Sequence, residues 1–78
     1  MNVEVLMPQI GFTMSEGELV EWRVQDGAHV EAGAELFVLG AEKAMQEIES
    51  PATGKLRVHK QPGVYEVGTV LAVIEADS

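Results

Sequence analysis

Short apolar runs recur along this chain, each bounded by glycine, proline or aspartate, and none has the spacing that an amphipathic helix requires. The runs predict eight strands, over residues 3–7, 18–24, 29–30, 35–39, 45–50, 55–59, 65–67 and 70–75. Val20, Trp22 and Val24 alternate with polar residues, as do Phe37 and Leu39 on a later run, so Trp22 is expected to be core or half-buried packing. Many short strands with turn signals between them predict an all-β domain, either a sandwich or a flattened barrel.

The two halves repeat one another. Gly17, Leu19, Gly27, Gly33, Leu36 and Val38 in the first correspond to Gly54, Leu56, Gly63, Gly68, Leu71 and Val73 in the second, with two single-residue deletions. Pro8 and Pro51 close the strand that opens each half. The first half carries six extra residues within "QIGFTMSEG". The repeat predicts two four-stranded antiparallel sheets related by a pseudo-two-fold axis, each half giving strands to both. Gly27 in "QDG" and Gly63 in "QPG" are read as turn formers at positions suited to positive φ.

Composition narrows the function. Seventy-eight residues form one domain, residues 1–78, and residues 76–78 suit the start of a linker. Thirteen acidic residues against five basic ones give a formal charge of −8, which opposes nucleic acid and anionic lipid and favours a partner with a basic surface. No cysteine is present, so disulfides, thiolate ligands and thiol nucleophiles are excluded. Neither a signal peptide nor a membrane-length apolar run is found, and the expected location is cytoplasmic, or an organelle after removal of a targeting segment. His29 and His59, thirty residues apart, read as ordinary surface residues, and Ser15 and Ser50 lack an evident base, so neither a metal site nor catalysis is expected.

Lys43 stands out against this acidic background. It falls in "GAEKA", between two apolar runs, at what reads as a β-hairpin tip joining the two half-domains, expected at the end opposite the chain termini. Such a tip is accessible to a modifying enzyme and gives a tethered group room to move. An exposed lysine at a turn is otherwise ordinary surface charge.

Met7-Pro8, Thr13-Met14-Ser15-Glu16-Gly17, Gly27 with Val30, Leu36 with Leu39, Glu42-Lys43-Ala44 and Pro51-Ala52-Thr53-Gly54 together resemble the lipoyl domain of the acyltransferase component of 2-oxo acid dehydrogenase complexes. The likeness runs from Met7 to Glu75, and the fold it implies is a barrel-sandwich hybrid. It implies lipoate in amide linkage on Lys43, with Glu42 and Ala44 as the flanking residues that the attaching enzyme recognises. Phe12, Thr13 and Met14, in the extra segment, would take part in partner recognition, with local packing as the other reading of Phe12 and Met14. The implied partners are a lipoate-attaching enzyme, a thiamine-dependent decarboxylase, an acyltransferase core and dihydrolipoamide dehydrogenase, with the domain itself monomeric and non-catalytic. The sequence departs from the family with Glu42 for aspartate, and with Val38, Gly40 and Met45 at positions usually acidic, acidic and small or polar. Biotinyl domains of the same family place their lysine between two methionines. A biotin carrier, or an unmodified adaptor on the same scaffold, are the alternatives.

Overall fold

In the computed structural model, which describes residues 1–9, 15–41 and 44–76, the apolar alternation is realised as eight strands. They are β1 (Asn2–Leu6), β2 (Glu16–Trp22), β3 (His29–Val30), β4 (Glu35–Ala41), β5 (Ala44–Glu49), β6 (Gly54–Val58), β7 (Gly63–Glu66) and β8 (Val70–Ala76). The first sheet has the order β1-β8-β6-β3 and the second β5-β4-β2-β7. All their pairings are antiparallel.

These two orders are one pattern. Replacing each strand by the strand four places away in sequence converts the first sheet into the second, which is the pseudo-two-fold expected from the repeat. The correspondence reaches individual hydrogen bonds. Gly33 N–H donates to the Ser50 carbonyl at 2.9 Å and Ser50 N–H to that of Ala34 at 2.8 Å; in the other half Gly68 N–H donates to Met7 at 3.0 Å and Met7 N–H to Thr69 at 2.9 Å. Gly33 and Gly68 both hold φ near +90°, a conformation that costs a residue with a Cβ. In the first sheet, the paired chain ends (Asn2 opposite Glu75) occupy the place that the β4–β5 connection takes in the second.

The core lies between the sheets. Phe37, Met7, Leu19, Leu36, Leu39, Leu56, Leu71 and Ile74 are fully buried, supplied in alternation by strands of both sheets. Trp22 is half-buried against this cluster, its ring 5.3 Å from that of Phe37 at 61°, and its indole N–H donates to the Lys60 carbonyl at 3.0 Å. A buried indole needs such a partner.

Two expectations are corrected. A register shift between Leu19 and Glu21 makes Val20 an extra residue in β2, so Val20 shares the outer surface near Glu18 and Gly40 while Leu19 and Trp22 face inward. The alternation of Val20 with Trp22 therefore does not describe one face. Gly63 does not adopt positive φ, although its repeat partner Gly27 does, at 87°. It is held instead in the ladder of β7 opposite Leu19, which imposes extended backbone.

Candidate functional site at the β4–β5 connection

The central strand β4 is fixed before its end is reached. Leu36, Phe37 and Leu39 are buried, and β4 is paired on one side with β2 and on the other with β5. The β4–β5 ladder continues through Phe37 opposite Ile48, Val38 opposite Glu47, Leu39 opposite Gln46, Gly40 opposite Met45 and finally Ala41 opposite Ala44. Two residues, Glu42 and Lys43, are thereby left to connect the strands, and both lie outside the described residues. The connection is shorter than the "GAEKA" loop read from sequence, because the ladder claims Gly40, Ala41 and Ala44.

Small residues occupy most of the base of this connection. Ala41, Ala44 and Gly40 fill three of the last four paired positions, and Met45 is the fourth, 71% exposed. A side chain at Gly40 would press on the Val20 methyl, whose Cγ2 lies 3.1 Å from the Cβ position. Among the described residues, the base presents little bulk to an enzyme approaching the lysine.

Phe12, Thr13 and Met14 also fall outside the described residues. The chain on either side of their segment is tied to one turn: Met7 exchanges hydrogen bonds with Gly68 and Thr69, and the Ser15 carbonyl accepts from Val67 N–H at 3.0 Å. β2 then begins beside the end of β4, with Glu18 opposite Gly40.

Glu18 and Val64 were not singled out by sequence. Cross-strand register brings them into line with Gly40 and Met45, in the row Met45–Gly40–Glu18–Val64 across all four strands of the second sheet. A weak signal existed in the repeat, which aligns Glu18 with Lys55.

At the other end of β4, Glu35 meets a second carboxylate. A side-chain hydrogen bond with Glu47, then the charge of Glu47, then desolvation raise the Glu35 carboxyl above its ordinary value, against a smaller opposing effect of Arg23, whose Nε is 3.9 Å from Glu35 Oε2. Glu35 therefore takes up a proton more readily in the folded chain than in the unfolded one. The ionised pair lowers stability at neutral pH, and that penalty is relieved as pH falls through the raised value. Glu35→Gln is expected to raise the melting temperature slightly at neutral pH, the gain shrinking in mildly acidic buffer; thermal melts across that range check it.

Among the described residues no group of three or more His, Asp or Glu could hold a metal ion. The β4–β5 connection remains the candidate site.

The family model described as "Biotin-requiring enzyme", covering biotin and lipoyl attachment domains, matches residues 3–74. This chain belongs to the biotin/lipoyl domain family. Among its relatives is the "dihydrolipoyllysine-residue acetyltransferase component of pyruvate dehydrogenase complex" of Zymomonas mobilis, 38% identical over 95% of this chain and 18% of the relative. The "lipoamide acyltransferase component of branched-chain alpha-keto acid dehydrogenase complex" of Pseudomonas aeruginosa is 41% identical over 94% of this chain and 18% of the relative. The "dihydrolipoyllysine-residue acetyltransferase component of acetoin cleaving system" of Pseudomonas putida is 34% identical over 87% and 19% respectively. The chain thus spans less than a fifth of the length of these relatives. As a biotin/lipoyl domain it is the carrier part of such proteins, and the two-sheet fold with a lysine in its central connection is the architecture that the resemblance implied.

Proposed function

We propose that this domain carries lipoate on Lys43 and moves acyl groups and reducing equivalents between the active sites of a 2-oxo acid or acetoin dehydrogenase complex. The observation that carries this reading is the two-residue Glu42-Lys43 connection at the end of the best-anchored strand pair. Lysine suits the task, having a flexible four-carbon stem and an amine whose charge is removed by amide formation. Lipoate attached there would supply a disulfide that takes up an acyl group and two reducing equivalents.

The protein supplies position. Small residues at the base leave the lysine approachable, and the buried β4 anchors give the arm a fixed origin, so each delivery becomes an encounter at high local concentration. Flanking Glu42 and Ala44 distinguish this lysine from the methionine-flanked lysine of biotinyl domains and support lipoate over biotin. No catalytic group is assigned to the domain. The attaching enzyme, the decarboxylase, the acyltransferase core and dihydrolipoamide dehydrogenase are its partners in this reading. Cytoplasmic residence is part of the same proposal.

Reductive acylation tests the carrier role. The lipoylated domain, mixed with a thiamine-dependent decarboxylase and labelled pyruvate, branched-chain 2-oxo acid or acetoin, is expected to gain one acyl group per chain with one of these pairs. Lys43→Arg is expected to gain none. Acylation of that variant would contradict the assignment.

A further inference from the structure

The pseudo-two-fold provides an internal control, because corresponding outer faces should look alike unless one of them serves a purpose. They differ. In the first sheet the row Asn2–Glu75–Lys55–His29 is polar throughout, and Arg57 Nε sits 3.3 Å from Glu75 Oε1. In the second sheet the corresponding row reads Met45–Gly40–Glu18–Val64, where Met45 and Val64 are 71% and 59% exposed.

Charge follows the same division. β1, β3, β6 and β8 hold two glutamates, one lysine, one arginine and one histidine. β2, β4, β5 and β7 hold three, one, two and one glutamates, seven in all, and no basic residue. Exposed apolar side chains set among charges of one sign are a feature of interaction surfaces. Gly40 adds a position without a side chain in the middle of the row, where a partner's apolar group would meet backbone and the Val20 methyl. Acylation of Lys43 would remove the one basic residue of the β4–β5 hairpin, leaving the acidic field uncompensated there.

We propose that the outer face of the second sheet, centred on Met45, Gly40, Glu18 and Val64, is a docking surface for a protein that presents lysine and arginine around an apolar side chain. The proposal rests on the carrier reading in assigning that role to the decarboxylase that loads the arm. Complementary charge would speed and orient the encounter, and the apolar contacts would hold it. The acyl-carrying lysine lies in the connection bordering this face, so docking there would bring the arm to the partner's active site.

The test is a titration of the isotopically labelled, lipoylated domain with purified pyruvate, branched-chain 2-oxo acid and acetoin decarboxylases, followed by amide chemical shifts. With at least one of them, the largest shifts are expected at Glu18, Gly40, Met45 and Val64. Raising the salt concentration should weaken that binding. Glu18→Lys and Val64→Lys, both at exposed positions, are each expected to weaken it about tenfold. Lys55→Glu, at the position corresponding to Glu18 on the first sheet, should change it by less than about twofold. Melting curves establish that the variants fold. Binding by none of the three, shifts concentrated on the first sheet, or unchanged affinity in both lysine variants overturns the docking surface. Lipoylation read by mass is independent: a lipoylated domain that fails to dock defeats this proposal alone, whereas docking through this face by a domain that never receives lipoate defeats the carrier reading alone.

Discussion

Phe37→Ala is expected to leave the domain largely unfolded at physiological temperature. Phe37 is fully buried at the centre of β4, between β2 and β5, and its ring meets Trp22 edge to face at 5.3 Å. Truncating a phenylalanine in such a site costs about 3–5 kcal/mol, through lost transfer energy and the cavity left behind. Natural domains of this size have roughly 4–12 kcal/mol in total, from about 0.05–0.15 kcal/mol per residue. The loss therefore takes a substantial share of the stability, and nearly all of it at the lower bound. A melting temperature lowered by about 15 °C or more is the expected result, at about 4–8 °C per kcal/mol for small domains. Phe37→Leu, which keeps most of the volume, should cost under about 1.5 kcal/mol. Equal melting temperatures for the alanine variant and the parent would mean that Phe37 does not occupy the core.

Gly54→Ala is the second large effect, although it adds one methyl group. Gly54 lies in β6 opposite Ala76 of β8, and a Cβ there would run into the Glu75 carbonyl oxygen and come within 2.7 Å of the Ala76 Cα. These are backbone atoms, so no rotamer change relieves the contact and the two strands must separate. The expected cost is about 3 kcal/mol, at the upper end of ordinary overpacking. Gly33→Ala and Gly68→Ala make a controlled comparison, because a Cβ at either position meets nothing within 4 Å and the penalty is conformational, about 1–2 kcal/mol for positive φ. Chemical denaturation of the three variants should rank Gly54→Ala as clearly the worst. A Gly54→Ala variant more stable than the other two would contradict the close approach of β6 and β8.

Much of this fold was legible because its strands obey period two and its turns carry strong punctuation. Even the two-residue strand His29–Val30 was legible from its apolar and turn pattern. The ends of strands were less legible. β2 begins at Glu16, two residues earlier than its apolar pattern suggests, because pairing of Glu16 with Glu66 extends a ladder where propensity is low. The Val20 bulge left no mark in the sequence, since one extra residue flips the facing of the later strand positions without changing their composition. Gly63 misled for a related reason: its neighbours spell a turn, and the Leu19 ladder overrides them.

The candidate site was legible in one dimension only. Lys43 is conspicuous by type, position and resemblance, and the strand pair that presents it is implied by the apolar runs on either side. The row through Met45, Gly40, Glu18 and Val64 was not, because it joins residues separated by as much as 46 positions through three cross-strand registers. Gly40 and Met45 drew notice only as departures from a family pattern. Their register explains them together, as the apolar and unfilled positions of a face whose counterpart on the other sheet is polar.

The central claim is that Lys43 bears lipoate, and intact mass tests it most directly. The protein is purified from cells supplied with both lipoate and biotin, in parallel with Lys43→Arg. A single lipoyl increment on the parent, absent from the variant, is the predicted result. A biotinyl increment, an unmodified mass despite an active lipoate-attaching enzyme, or a lipoyl increment that persists in Lys43→Arg would contradict it.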